Sequence, residues 1–381
     1  DLEVDCDIDL DEDGHLPVEC DAPGCASCDD CDDGDPAINP EATELCDSGV
    51  DEDCDGNDPA ALGPLGAPLL LDLGLEELPV FSGSSIALAA LEGEIALAFA
   101  DATAAGAVAL RVVRLAPDGA IVHGPFLVTE TAEGFVGLDL AWGPPALGVA
   151  WADWSGPGFR TSYFQAATPE GDLLGTQWEQ AMALGYFGPA VEWSPEGFGI
   201  AWCGAEREAL RFETLRSDGS PPDGAVPLAI VGSTTGFPVS IAWSGSVFGV
   251  ASGDEASVGG IHPIALQGVS PEGAGGATWR FEGSEPTNPH AAVAWTGGSF
   301  GVAWTGGFGA AALHVALVDE AGGEVVSPFA VEGDVEEPSR PRAAPAAGGF
   351  LLQWNEMSTG TLRLAFVSDA GVVSPAAAPL S

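Results

Sequence analysis

Aspartates at alternate positions, followed by glycine, occur twice near the N-terminus: Asp9-x-Asp11-x-Asp13-Gly14 and Asp51-x-Asp53-x-Asp55-Gly56. Oxygen ligands at positions 1, 3 and 5 of a loop, with glycine at 6, form the front half of a calcium site. The glycine permits the sharp turn that lets the carboxylates converge. Neither stretch carries the bidentate glutamate expected at position 12; Cys20 and Leu62 stand there. The remaining oxygens are then expected from Asp30, Asp32, Asp33, Asp35 and Glu44, between the two loops. The cofactor this predicts is Ca2+, as two or more ions. The plainer alternative is an acidic tail that holds no metal.

Cysteine is concentrated in the same region. Seven of the eight cysteines, Cys6, Cys20, Cys25, Cys28, Cys31, Cys46 and Cys54, precede residue 55. Dense cysteine in an acidic segment reads as a disulfide framework and an oxidising compartment. A zinc thiolate site at Cys25, Cys28 and Cys31 is the rival reading. Seven cannot pair among themselves, so the eighth, Cys203, bridges to this segment, pairs between subunits, or is a buried thiol.

The stretch CDDGDPAINPEATELCDSGVDEDCDGND, within residues 28–58, resembles the MopE-type metal-binding repeat of secreted bacterial proteins. It supplies Cys31, Asp32, Asp33, Asp35, Pro40, Ala42, Glu44, Cys46, Asp47, Asp51, Asp53, Cys54, Asp55 and Gly56 of that pattern. It departs at Glu41, where glycine is usual, and at Ser48-Gly49, which shifts a glycine by one. The resemblance covers under a tenth of the chain and marks a motif that is attached to many different proteins. The family name invokes copper. With no methionine nearby and only His15 in the segment, hard oxygen ligands favour calcium.

The chain has 10 basic residues, all arginine, against 58 acids, for a net charge of −48. Residues 1–58 hold 23 of those acids and no base, which leaves −25 on the remainder. Such a field repels nucleic acid and anionic membranes. No apolar run is long enough to span a bilayer as a helix, so direct membrane insertion is not expected. The cysteines, and a chain that begins at Asp1, point to an exported protein, extracellular or at the cell surface, with its signal peptide removed.

Composition changes near Pro59. Residues 1–58 form the Cys/Asp-rich segment, 59–66 a linker, and 67–381 a repeating region. IALAFAD (95–101), LGVAWAD (147–153), FGIAWCG (198–204), FGVASGD (248–254), FGVAWTG (300–306) and FLLQWNE (350–356) align. Their anchors, Phe99, Trp151, Trp202, Ser252, Trp304 and Trp354, are spaced by 52, 51, 50, 52 and 50 residues. A first apolar burst ends at Trp142, Trp193, Trp243 and Trp295. A third follows, as in LRVVRL (110–115) and LRFETL (210–215), then a glycine turn and a fourth burst. Four short strands per unit of about 50 residues, repeated six times, predict an all-β chain with a six-bladed β-propeller after an irregular calcium-binding segment. Apolar residues at nearly every strand position fit sheets covered on both faces.

LLLDL (69–73) resembles a surplus fourth strand. It is expected either to close blade six beside the strand that carries Arg363, or to add to another subunit's sheet. SPAAAPLS (374–381), with two prolines, reads as a poor ladder former.

No catalytic constellation stands out. There is no G-x-S-x-G, phosphate loop or triad pattern. His15, His123, His262, His290 and His314 lack metal-ligand spacing and read as surface or strand residues. Asp101, Asp153, Asp254 and Glu356 recur just after the second strand, where they either ring one end of the channel or serve turns. Trp154 and Trp178 fall outside the anchor series and are the candidates for a binding surface. The expected function is a non-enzymatic structural or adhesive protein that self-associates, as an oligomer or polymer, through its N-terminal segment. The alternative is a monomeric surface-displayed propeller that binds a cell-surface carbohydrate or protein. A hydrolase using channel acids is the third reading.

Overall fold

The computed structural model describes residues 16–17, 28–32, 34–35, 38–40, 54, 86–91, 93–103, 106–131, 134–153, 160–182, 188–204, 210–224, 227–230, 238–253, 263–281, 290–305, 312–331, 338–356 and 358–375. The chain divides into two compact units, residues 1–65 with 374–378, and residues 66–373 with 379–381. Among the described residues no helix is long and apolar enough to cross a membrane.

The larger unit is a six-bladed β-propeller whose blades are four-stranded antiparallel sheets in chain order. Blade one is Ile86–Leu91, Glu94–Ala102, Val108–Leu115 and Ile121–Thr131; blade two is Phe135–Gly143, Ala146–Asp153, Arg160–Ala167 and Leu173–Met182. Blade three is Ala190–Ser194, Gly197–Cys203, Leu210–Leu215 and Leu228–Ile230; blade four is Val239–Trp243, Phe248–Gly253, Ile264–Val269 and Gly275–Phe281. Blade five is His290–Trp295, Phe300–Thr305, Leu313–Val318 and Glu324–Ala330; blade six is Pro338–Ala346, Gly349–Glu356, Thr361–Ser368 and Val373–Pro375.

Each anchor falls in the second strand of its blade, as its period predicts. The first strands of successive blades pack against one another, from blade one through to blade six, so they form the inner wall. Second and third strands of blades two to five are largely buried, because a neighbouring blade covers each face, whereas the third strand of blade six is mostly half-buried. Outer strands are largely exposed.

One turn is used six times between third and fourth strands. In blade one the Ala116 N–H donates to the Ala120 carbonyl and the Gly119 N–H to the Ala116 carbonyl, both at 2.8 Å. Gly119 sits at φ 83°, a left-handed position that favours glycine. Gly171, Gly219, Gly273, Gly322 and Gly371 repeat this arrangement.

Blades are sealed by an aromatic ring seated on a glycine. Phe198 of blade three lies on Gly148 of blade two, Phe300 on Gly249, and Phe350 on Gly301. The Phe198 ring also meets Phe164, with centroids 5.0 Å apart. Blades one and two reach the same end differently: Ala96 stands in the glycine position and Leu147 in the phenylalanine position, both fully buried in one core. At the corresponding positions of blades six and one stand Leu351 and Ile95, and Ile95 is exposed. On the same side of blade one, Ile86 is 54% and Leu88 62% exposed.

The fourth strand of blade six is Val373–Pro375, from the same blade. The C-terminal segment therefore contributes a short ladder despite its prolines, with Pro375 at its last position, where no further N–H is needed. Residues 67–73 lie outside the described residues.

Candidate functional site

Two regions carry polar chemistry. The first is the N-terminal motif. Cys31 and Cys54 form a disulfide with Cα atoms 5.7 Å apart, which brings the start and end of the acidic motif together. The Cys31 N–H donates to Cys54 Sγ at 3.1 Å. Between Asp32 and Asp35 the chain turns: the Gly34 and Asp35 N–H groups both donate to the Asp32 carbonyl, at 2.6 and 3.0 Å. The Ile38 N–H donates to the Asp35 carbonyl, and Ile38 and Asn39 are buried. Asp32 and Asp35 are exposed on this turn, and their carboxylates are oxygen donors of the kind hard cations take. Leu16–Pro17 and Cys28–Asp30 pair as a two-residue parallel ladder.

Asp9, Asp11, Asp13, Asp33, Glu44, Asp51, Asp53 and Asp55 lie outside the described residues, as do Cys6, Cys20, Cys25 and Cys46. Of Asp30 and Cys28 only the backbone is described. Among the described residues no group of three or more His, Cys, Asp or Glu side chains is placed to hold a metal. Cys203 is a buried thiol at the end of the second strand of blade three.

The second region is the wall of the propeller channel. Counting back from the last residue of each first-strand burst (Trp142, Trp193, Trp243, Trp295 and, by register, Pro345), polar residues fall at odd offsets. Asp139, Ser240 and Arg342 stand three back, Glu192 one back, and His290 five back. A strand alternates faces with period two, so these residues share one face of their strands.

An inner strand has one edge with no neighbouring strand, and its N–H groups need partners. Two of these side chains supply them. The Val191 N–H of blade three donates to Asp139 Oδ2 of blade two at 2.8 Å. The Val293 N–H of blade five donates to Ser240 Oγ of blade four at 3.1 Å. The other oxygen of Asp139 accepts from the Leu140 N–H at 3.0 Å. Glu192 Oε1 accepts from the Trp193 N–H at 2.8 Å.

Burial pushes the Asp139 carboxyl up to about 6, against the pull of the Val191 N–H, the Arg342 charge and the Leu140 N–H. Burial pushes Glu192 up to about 7; the Trp193 N–H opposes this and the Asp139 charge reinforces it. His290 is brought down to about 4, by burial first and then by Arg340 and Arg342. It is therefore a neutral imidazole at pH 7. Arg340 sits at φ 51°, a left-handed backbone rare outside glycine, within an irregularity between Ser339 and Arg342. That Arg342 of blade six acts on Asp139 of blade two, four blades away along the chain, reflects inner strands gathered about a common axis.

The recurring acids after the second strands do other work. Asp101 pairs with Arg111 at 3.2 Å and Glu356 with Arg363 at 3.1 Å; the Tyr163 hydroxyl is hydrogen-bonded to Asp153. Arg111, Tyr163 and Arg363 stand directly across from the anchors Phe99, Trp151 and Trp354. These acids partner third-strand side chains, one strand out from the channel wall, and do not ring its mouth; of those side chains Tyr163 stacks on its anchor Trp151, centroids 5.5 Å apart. Asp254 lies outside the described residues. Trp178 is also structural, not part of a binding surface: it is buried edge-on against Trp202, centroids 4.9 Å apart, and its Nε1 donates to Glu213 at 3.1 Å. Trp154, His15 and His262 lie outside the described residues. His314 stacks on Trp304, and His123 lies beside Phe126. The channel acids went unnoticed in the sequence although a signal was present: LDLAW and VEWS each carry one acid inside an apolar burst.

Residues 30–58 match a family model described as "Putative metal-binding motif", the copper-binding MopE type. No curated protein matches the chain. Among solved structures, the fucose-specific lectin from Aleuria aurantia is similar at 12% identity and a TM-score of 0.45, over 78% of this chain and 96% of that one. The β-propeller domain of the Trilobed protease from Pyrococcus furiosus, described as having an open velcro topology, gives 11% and 0.43, over 77% and 84%. The GH43_1 enzyme from Xanthomonas citri, complexed with xylose, gives 11% and 0.40, over 76% and 89%. The chain thus joins a MopE-type metal-binding motif to a repeat-built β-propeller.

Proposed function

We propose that this chain is a non-enzymatic, extracellular structural or adhesive protein that self-associates, with calcium bound by its N-terminal motif. The observation that carries the reading is the inner part of one side of blade one, where Ile86, Leu88 and Ile95 are exposed beside the buried Leu97, Phe99, Val113 and Leu115. Every other joint from blade one to blade six is closed by a buried pair, whereas Ile86, Leu88 and Ile95 face outward. Apolar surface of this kind is stabilised by burial at about 25 cal/mol per Å². The proposed occupant is a second copy of the chain. The cystine-closed acidic turn supports the calcium part, since a cation would relieve repulsion between Asp32 and Asp35, which follow Cys31 closely in the chain.

The test is native mass by light scattering, without reductant, in calcium and again after EGTA. Species larger than one chain that shrink in EGTA support calcium-dependent assembly. A single-chain mass in both conditions overturns the reading. A second reading, a surface-displayed binding propeller, is favoured by the mixed-charge channel wall.

A further inference from the structure

The joint between blades six and one is unlike the five before it. First strands pack in succession from blade one to blade six, and among the described residues that succession does not continue from blade six to blade one. By register, Leu88 stands where Leu140, Val191, Ile241 and Val293 stand in blades two to five. Those four are 3–7% exposed, whereas Leu88 is 62% exposed. The opposite half of the joint is bare as well. Leu351, Leu364 and Phe366 share one side of blade six and are half-buried, while Val315 and Leu317, the counterparts of Leu364 and Phe366 in blade five, are fully buried. Neither Leu364 nor Phe366 joins a core with blade one.

Two features keep this joint from closing as the others do. Every other joint sets a large side chain against glycine or alanine. Here Leu351 would meet Ile95, two full-sized aliphatic side chains in the space that elsewhere holds one, and a seam of that spacing would be overpacked. The second feature is polar. Asp139 and Ser240 accept the Val191 and Val293 N–H groups across their joints. Alanines 87, 190 and 292 stand level with them at three further joints. In blade six the level position is Arg342, whose guanidinium only donates and therefore cannot accept from the Leu88 N–H.

We propose that blade six of one chain packs on blade one of a second copy, with Leu364 and Phe366 covering Ile86 and Leu88, so that copies join head to tail. This rests on the self-association proposed above and names the surface that the second copy supplies. Between separate chains the spacing across the contact is free to adjust, so Leu351 and Ile95 can both be buried, which a ring of fixed circumference does not allow. A second copy fits better than an unrelated protein, because the two bare sides are the two halves of one kind of joint. The patches differ, so the contact is heterologous: each pairing leaves one patch free at either end. The ring has no room in its own plane for further blades, so each copy steps along the axis and copies add in a row.

The experiment is complementation between two variants of the full chain, read by light scattering. It is run in calcium at physiological ionic strength, because a net charge of −48 repels a second copy. Leu88→Arg spoils the blade-one patch and Leu364→Arg the blade-six patch. Both positions reach solvent, so each variant should still melt cooperatively. Gln353→Arg, on the same side of blade six, takes the place of Leu364→Arg should that variant not fold. Each variant alone is expected at single-chain mass, up to at least ten times the concentration at which wild type assembles. An equimolar mixture is expected at twice the chain mass and no more, since one intact blade-six patch then meets one intact blade-one patch. Variants that assemble as wild type does overturn this contact and leave self-association standing. Single-chain variants whose mixture does not pair overturn the head-to-tail arrangement. A wild type that stays a single chain overturns the contact together with the reading it rests on.

Discussion

A Cβ on Gly199 would lie 2.6 Å from Cε1 of Phe248, in the next blade. The two residues are a mould and its cast: the bare backbone of blade three receives the ring that blade four presents. Phe248 is fully buried there, with its centroid 5.3 Å from that of Phe212 and 4.6 Å from that of Trp243. Gly199→Ala should destabilise the propeller by about 1–3 kcal/mol through overpacking. Adding Phe248→Leu should recover part of that loss, because Ala96 and Leu147 occupy the same pair of positions between blades one and two. A double-mutant cycle in urea measures this. Additive losses would show that the ring and the glycine do not act as one joint.

The Glu356 and Arg363 pair makes a second test. Glu356 is 2% exposed, and Arg363 approaches it at 3.1 Å. Removing the cation strips the buried carboxylate of its counter-charge while the Thr359 hydroxyl, 3.3 Å from its other oxygen, stays, which costs about 1–3 kcal/mol. Arg363→Met should therefore lower stability by roughly that much at neutral pH. Replacing both, as Glu356→Leu with Arg363→Met, should cost less than the single change. Denaturant titration of the two variants decides the matter.

Channel titration has a predicted sign. Asp139 is raised from 3.8 to about 6 and Glu192 from 4.5 to about 7. The folded chain keeps these protons after the unfolded chain has lost them, so both groups lower stability as pH rises from about 4 to 7. His290 acts in the opposite sense. Lowered from 6.5 to about 4, it adds stability as pH rises through that window. Asp139→Asn should consequently melt higher relative to wild type at pH 7 than at pH 4, by about 1 kcal/mol after solvent screening. Melting curves at the two pH values check it. A pH-independent difference would remove Asp139 from the account.

The cystine should matter to the metal more than to the propeller. Cys54→Ser opens the loop that holds the Asp32–Asp35 turn against the end of the motif. Calcium affinity, read by titration calorimetry, should fall at least tenfold, because carboxylates held apart no longer converge on one ion. The melting transition of the blades should stay in place. Unchanged calcium affinity would place the ligands outside the cystine-closed loop.

The sequence by itself determined the repeat, and with it the blades. Anchors such as Trp151, Trp202 and Trp304 recur at nearly constant spacing, and a strand with a glycine turn is a local object that a short stretch of residues specifies. The MopE-type motif was equally legible, because its cysteines and aspartates are contiguous in the chain. What only the tertiary structure decided is what meets across the joints. The Gly in FGIAWCG is one letter beside an aromatic, and its purpose appears only when Phe248, from the following repeat, lies on it. Asp101 and Glu356 looked like a ring of channel acids because they recur in register; the sheet set Arg111 and Arg363 beside them instead. Asp139 and Glu192 went unread because a single acid in an apolar burst says nothing of what surrounds it. Its neighbours, the Val191 amide and Arg342, lie tens to hundreds of residues away, and only the closing of blades about an axis brings such groups together.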